Sequence, residues 1–439
     1  MLKIFNLSLK INGFPIKEAE EIYNQIINQS EEEYSIFLKN KKNEVVAFHS
    51  ENNPLYKNLI HGKKINDWFD LPVMTKKDFQ QPLLQRLSTG YNQKNIYVNK
   101  TSGSSGDPFI FAKDKFCHAL TWVNIIHKFG DYGIDFNKSK QARFYGIPLD
   151  FVGYNKERLK DFIKKSYRFP IFDLSDKVLE NVLTKFRKTS FDYINGYTSS
   201  IVLFAKFLKQ KEIILKDVCP TLKCCVVTSE MLFQEDKTLM EKQFGVPIIN
   251  EYGASELDLI AFQNTDDEWV VNSETLFVEI LDENNNPLPN GQEGRVVITS
   301  LFNKAHPFIR YDIGDIGILD EKSTPQKPIL KKLIGRTNDI ALLPSGKKSP
   351  GLTFYYVTKS IIEDNGNVKE FVVKQTKIDT FDIEYVSAIE LTESQIKAIE
   401  KAITTYLETG LNFTFVKKEK LERGKSGKLK QFVSLLNNQ

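Results

Sequence analysis

Apolar residues change their spacing along this chain, and the changes divide it. From the start to about residue 95 they recur at helical intervals between charged faces, which predicts a mainly helical lead-in. "DLPVMTKKDF" (Asp70–Phe79) reads as a connector running into a helix. Further on, "RFYGIPL" (Arg143–Leu149) and "LKCCVV" (Leu222–Val227) are short apolar runs suited to buried strands. Between them Leu179, Val182, Leu183 and Phe186 fall on one helical face behind the capping types Ser175 and Asp176. Strands alternating with helices predict an α/β sheet.

The pattern then switches twice. Leu276–Leu281 and Arg295–Thr299 are strand-like, with Asn, Pro and Gly between them as turn chemistry, so a small antiparallel β subdomain is expected. After residue 339, "EFVVKQT" and "TFDIEYVSAIEL" read as strands. A helix carrying Ile396, Ile399, Ile403 and Leu407 follows, with Gly410 as its stop. The expected organisation is an α/β N-terminal domain over 1–338 and a small, mobile α+β domain over 339–439.

Composition narrows the class. The 439 residues allow about two or three domains at ~150 residues each. Sixty basic and 56 acidic side chains leave a net charge of only +4, too balanced to argue for nucleic acid. No apolar run approaches the ~18 residues that a membrane span requires. Lys10, Asn12, Gly13 and Pro15 interrupt the apolar start, so a signal peptide is not expected. Cys117, Cys219, Cys224 and Cys225 show no zinc-type spacing and read as reduced core residues of a cytoplasmic protein.

Candidate chemistry lies in five stretches. "VNKTSGSSGDPFIFAKD" (Val98–Asp114) packs glycines and hydroxyls together, as a phosphate-holding loop does and as an ordinary surface turn also does. Without a Gly-Lys-Ser/Thr ending it is not a Walker A loop. The others are "NEYGASELD" (Asn250–Asp258), "IRYDIGDIG" (Ile309–Gly317), "IGRTND" (Ile334–Asp339) and "ERGKSGKLKQFV" (Glu422–Val433). Singly they read as a strand-to-loop turn, a turn between strands, a linker and a solvated basic tail.

In this order, from about residue 95 to 431, the five resemble the adenylate-forming superfamily, particularly the CapK-like members of its phenylacetate–CoA ligase branch. The resemblance implies ATP-dependent activation of a carboxylic acid as an acyl-adenylate, followed by transfer to a thiol, foremost coenzyme A. Thr101, Ser102, Gly103, Ser104, Ser105 and Gly106 then correspond to the loop around the β- and γ-phosphates. Tyr252 and Gly253 fall beside the adenine, Ser255 at the α-phosphate, and Glu256 at the magnesium ion. Asp315 matches the acceptor of the ribose hydroxyls, and Arg336 a contact to ribose or phosphate. Asp339 falls at the hinge, and Lys428 matches the lysine that reaches the α-phosphate during adenylation. Tyr197, Ser229 and Glu230 lie where the family builds its acyl pocket, with Thr198 and Ser199 beside them; the aromatic there fits a core position equally well.

The chain also departs from the pattern. Phe109 stands where many superfamily members have lysine. The stretch after "YGASE" lacks the cysteines and histidine of the branch's zinc site, so no zinc is expected. "IALLPSGKKSPGLTF" differs from the branch's pantetheine tunnel, which leaves the acceptor open: coenzyme A, a carrier-protein thiol, an amine or a hydroxyl. The alternative reading is an amide or ester synthetase of capsular-polysaccharide or secondary metabolism that bypasses coenzyme A. A non-catalytic nucleotide-binding scaffold ranks lower, and nucleic-acid binding by the tail lower still, since Glu419 and Glu422 interrupt its basic run. The expected partners are a small carboxylic acid and its acceptor, with no membrane insertion; a homodimer is compatible with this reading.

Overall fold

The computed structural model describes residues 4–101, 109–145, 161, 165–169, 174–336, 340–346, 348–350, 368–423 and 429–436. The chain divides into two compact units, residues 1–313 with 317–332, and residues 314–316 with 333–439.

In the first unit, an antiparallel pair, β1 (Ile96–Lys100) and β2 (Ile110–Asp114), flanks the glycine- and hydroxyl-rich segment. Seven strands then form one sheet: β3 (Gln141–Phe144), β4 (Ser166–Phe169), β5 (Tyr193–Tyr197), β6 (Cys224–Thr228), β7 (Ile248–Ala254), β8 (Asp258–Gln263) and β9 (Trp269–Val271). Their order is β4-β3-β5-β6-β7-β8-β9. The first five are parallel, and β8 and β9 are added antiparallel.

Every residue of β6 is buried, as expected of a strand covered on both faces. On one face, Leu183, Ile201, Phe204 and Met240 of helices Asp176–Lys188, Thr198–Gln210 and Gln234–Phe244 join a core with Phe144, Ile194, Cys225 and Val227. On the other, Phe129 of helix Lys115–Gly130 joins Tyr193, Cys224, Val226 and Ile249. That helix starts where the Asp114 carboxylate accepts the Cys117 N–H at 2.9 Å, an N-cap. Its outward side carries Cys117, Leu120 and Val123 against Tyr23 and Ile26 of helix Ile16–Ile27 and Tyr34 and Leu38 of helix Glu31–Asn52. The helical lead-in is thus a third layer over the sheet. The connector Asp70–Phe79 ends in one 3₁₀ turn, Lys76–Phe79, before the four-residue helix Leu83–Arg86.

Strands β10 (Leu276–Leu281), β11 (Glu293–Ser300), β12 (Tyr311–Leu319) and β13 (Leu330–Arg336) form the small sheet in that order. The turn after β10 is closed by the Asp282 carboxylate, which accepts N–H groups of Asn284 and Asn286 at 2.8 Å each. Arg310 lies fully buried, paired with Glu279 at 3.3 Å and donating to the carbonyls of Phe69 and Leu71.

In the second unit, β14 (Ile340–Leu342) pairs with β15 (Lys348–Pro350). A separate sheet orders β16 (Val368–Lys377), β17 (Thr380–Ser387), β18 (Asn412–Lys418) and β19 (Phe432–Ser434) as β18-β17-β16-β19. Helix Glu393–Tyr406 starts at a capping box of Thr392 and Gln395 and buries Ile399 and Ile403. It ends earlier than its periodicity suggests. Leu407 is already the C-cap, and Gly410, with φ of 83°, belongs to the turn into β18.

Candidate active site

Strand β7 runs through the motif that follows it in sequence, so Tyr252 and Gly253 are strand residues and the turn comes only at Ser255–Leu257. Tyr252 is buried, its ring edge-on to Trp269 at 6.0 Å between centroids. A Cβ on Gly253 would lie 2.7 Å from the Asp258 carbonyl oxygen, so only glycine lets β8 return this closely. Ser255 is exposed. Glu256, the next residue, is 7% exposed, and the Tyr311 hydroxyl donates to its Oε1 at 3.2 Å.

Tyr311 is itself fixed from several sides. Its ring meets Phe79 and Phe308, and the chain around it bonds to Met74: the Met74 N–H donates to the Arg310 carbonyl at 2.9 Å and the Asp312 N–H to the Met74 carbonyl at 2.8 Å. The connector Asp70–Phe79 therefore orients the group that orients Glu256. Among the described residues no set of three or more His, Cys, Asp or Glu side chains converges as a metal cage. A hard cation that bridges phosphates needs only one or two protein carboxylates, and Glu256, with one oxygen engaged by Tyr311, fits that demand.

Asp258 closes the turn with a left-handed backbone, φ of 57°, and its carboxylate pairs with Lys113 of β2. β2 thus links the Glu256 turn to the glycine- and hydroxyl-rich segment. At the neck of that segment the Thr101 N–H donates to the Phe109 carbonyl at 2.9 Å, and the Phe109 N–H donates to the Thr101 hydroxyl oxygen at 3.0 Å. The hydroxyl keeps its own proton to donate. Ser102, Gly103, Ser104, Ser105 and Gly106 lie outside the described residues. Phe109 is buried among Phe79, Phe111, His306 and Phe308 with the buried Arg86 guanidinium 5.3 Å from its ring centroid, so a lysine here would set a second cation beside Arg86.

Asp315 falls within β12, buried, and not in a turn between strands. Gly314 before it has φ of 82°, a conformation open to glycine. Arg336 is the last residue of β13; Asp339 and Lys428 lie outside the described residues.

At the expected acyl pocket the structure separates the candidates. Tyr197 ends β5, buried, with its ring 4.9 Å from that of Tyr145. Ser229 is exposed, with φ of 69°. Glu230 reaches helix Thr198–Gln210, where its carboxylate accepts the Ser199 N–H at 2.7 Å and its carbonyl accepts the Thr198 hydroxyl at 3.2 Å. It satisfies a helix N-terminus, an anchoring task. Tyr145, Asn195, Thr228 and Glu251, which no sequence motif singles out, complete this end of the sheet. The Tyr145 hydroxyl donates to Asn195 Oδ1 at 3.0 Å. Glu251 accepts a hydrogen bond from Thr228, its paired neighbour on β6, while burial pushes its carboxyl up to about 7. A glutamate inside the run "VPIINEY" was the available signal.

No family model matches the chain. Protein CapK of Staphylococcus aureus is 25% identical over 442 residues, spanning 96% of this chain and 91% of that protein. A phenylacetate-coenzyme A ligase of Pseudomonas putida is 22% identical over 289 residues, 64% of this chain and 63% of the relative. Among solved structures, 2-hydroxyisobutyryl-CoA ligase in complex with R3-HIB-AMP aligns with a TM-score of 0.69 at 15% identity. That alignment covers 91% of this chain and 89% of the other, and it bears on the fold alone.

Proposed function

We propose that this chain, a CapK-like member of the adenylate-forming superfamily, uses ATP to activate a carboxylic acid and passes the acyl group to a thiol, foremost that of coenzyme A. The observation that carries the reading is the pairing of Glu256 with Tyr311 in the turn at the carboxyl end of β7, next to the buried Tyr252. Ligands of open α/β sheets bind outside the carboxyl ends of parallel strands.

In the first half-reaction a substrate carboxylate oxygen attacks the α-phosphorus of ATP. The bond from that phosphorus to the bridging oxygen breaks, and pyrophosphate leaves with the electron pair. Lys428 offsets the negative charge that builds on the α-phosphoryl oxygens, and Ser255 donates to them. Asp315, with two acceptor oxygens, takes the ribose hydroxyls, and Arg336 adds a cation there. Thr101 and the segment Ser102–Gly106 donate to the β- and γ-phosphates. Magnesium held at Glu256 would neutralise phosphate charge. In the second half-reaction the thiol sulfur attacks the acyl carbon, the carbon–oxygen bond to phosphate breaks, and AMP leaves. Asp339 is the hinge at which the C-terminal residues would withdraw Lys428 between steps. Four free, buried cysteines suit a reducing, cytoplasmic setting.

The test is pyrophosphate release from ATP and magnesium over a panel of aryl, fatty, amino and sugar acids without coenzyme A. Release with one class of acid, followed by AMP release on adding coenzyme A, is expected. AMP release with an amine but not with coenzyme A would move the acceptor to an amide synthetase, and silence from a protein that binds ATP would remove the enzymatic reading.

A further inference from the structure

The face of the central sheet toward helix Lys115–Gly130 changes character along its strands. Paired residues of parallel strands share a face, as do residues two apart on one strand. Tyr193, Cys224, Val226 and Ile249 make the near half apolar. Toward the carboxyl ends the same face turns polar. Asn195 pairs across from Arg143 on β3, and Tyr197 from Thr228, which in turn pairs with Glu251. The Tyr145 ring, two residues beyond Arg143, packs with Tyr197 against the core of the other face, while its hydroxyl reaches Asn195 in this row.

Most of this polar edge is spoken for. Arg143 and Arg168 share Asp161, at 3.5 and 3.2 Å. Asn195 takes the Tyr145 hydroxyl and gives an N–H to the Val226 carbonyl at 3.3 Å. Glu251 differs: it takes part in no ion pair among the described residues, and Thr228 supplies one donor to a group with about four acceptor positions. Phe262 of β8 stands opposite it and offers none. Tyr145 and Asn195 lie where strand order reverses, since β3 has β4 on one side and β5 on the other, the usual location of a ligand crevice, and Glu251 stands two strands along from β5, on β7.

We propose that the carboxylic acid activated here carries a hydrogen-bond donor, an amine or a hydroxyl, on its acyl skeleton, and that Glu251 receives that donor beside Tyr145 and Thr228. This rests on the adenylating reading above. An unsubstituted acyl group would set hydrocarbon against a buried carboxyl group, and a site built to accept a donor rejects the analogue that lacks it far more strongly than an apolar pocket rejects a missing methylene. Glu251 is then a specificity-determining residue, one position before Tyr252 and, by strand alternation, on the opposite face of β7.

The experiment is ATP–pyrophosphate exchange by the full chain with matched acids: benzoate, 3-hydroxybenzoate and 3-aminobenzoate; propionate, 3-hydroxypropionate and β-alanine. Wild type, Glu251→Gln and Glu251→Ala are compared, with circular dichroism and melting to confirm folding. In at least one series the donor-bearing acid is expected to exceed the bare acid by about 10²-fold in kcat/KM. Glu251→Ala should collapse that ratio toward unity. Glu251→Gln should keep most of it for a hydroxyl and lose it for an amine, which separates the two donors. A wild-type enzyme that favours the bare acids, or a ratio unchanged in Glu251→Ala, overturns the proposal and leaves adenylation standing. No exchange with any acid, in protein that binds ATP, overturns both.

Discussion

Lys113 of β2 and Asp258, the first residue of β8, are ion-paired although 145 positions separate them in the chain. The lysine side chain is 3% exposed and the aspartate 21%, so the pair is only partly screened by water. It holds a non-glycine residue in the left-handed region, directly after the turn that presents Glu256. The glycine- and hydroxyl-rich segment and the turn that carries Glu256 are thereby fastened to one another.

Replacing Lys113 by methionine leaves the Asp258 carboxylate without its cation and should cost about 2 kcal/mol, below the usual penalty for a fully buried pair because Asp258 meets some water. Urea unfolding of Lys113→Met, Asp258→Asn and the double variant provides the check. Additive effects would mean that the two residues do not act as a pair.

Gly253→Ala should be more damaging than its size suggests. The added methyl would meet a backbone carbonyl at 2.7 Å, which cannot rotate away as a side chain could. A loss of at least about 2 kcal/mol is expected, together with weakened pyrophosphate release. An unshifted melting temperature would show that β8 can give way at little cost.

Glu256→Gln and Tyr311→Phe should differ in degree. Removing the charge that faces the cation is expected to lower adenylation by about 10²-fold and to raise the magnesium concentration needed for half-maximal rate. Removing only the hydroxyl that steadies it should cost about tenfold, the worth of one hydrogen bond to a charged group. Magnesium titrations of both variants separate these outcomes, and equal effects would contradict the supporting role of Tyr311.

Lys428→Ala should cut pyrophosphate release by roughly 10²–10³-fold, as for loss of a charge-stabilising donor, while transfer from a supplied acyl-adenylate falls much less. Near-normal pyrophosphate release by that variant would remove the lysine from the mechanism.

His49 makes acid stability testable. Its Nε2 lies 2.9 Å from the Asn303 carbonyl and so carries the proton, and its Nδ1 accepts from the Ser88 hydroxyl. Burial holds the imidazole neutral and lowers its pKa to about 4 from the ordinary 6.5. The unfolded chain therefore takes up a proton first as pH falls. The stability linked to His49 is fully present above about pH 6.5 and is lost progressively toward pH 4, on the order of 3 kcal/mol in all. Glu251, raised to about 7, acts in the opposite sense, favouring the fold below about pH 4.5 and losing that contribution as pH rises through 7. His49→Gln should flatten the acid limb and Glu251→Gln the neutral one, as read from urea midpoints across this range.

Local pattern made much of this legible. The face of Leu179, Val182, Leu183 and Phe186 is buried in helix Asp176–Lys188, and the apolar run around Cys224 is the central strand. Tyr252, Glu256 and Asp315 stand out as candidates because each sits in a short ordered motif. Their surroundings were less legible, since register and pairing are set by residues far apart. Nothing in the sequence beside Glu256 announces Tyr311, 55 positions on, and nothing beside Lys113 announces Asp258. The contact of Glu230 was hidden for a related reason: a carboxylate on a helix N-terminus looks like any other until the helix is placed.

The cysteines that composition marked as reduced turn out to be distributed one layer at a time. Cys225 and Cys219 belong to the core beneath helices Asp176–Lys188 and Thr198–Gln210, Cys224 to the opposite face of the same sheet, and Cys117 to the packing of the helical lead-in. All four are free and buried. The molecule thus carries its own set of clocks. Timed alkylation read by mass spectrometry would date the opening of each layer separately, with no label introduced and no residue changed.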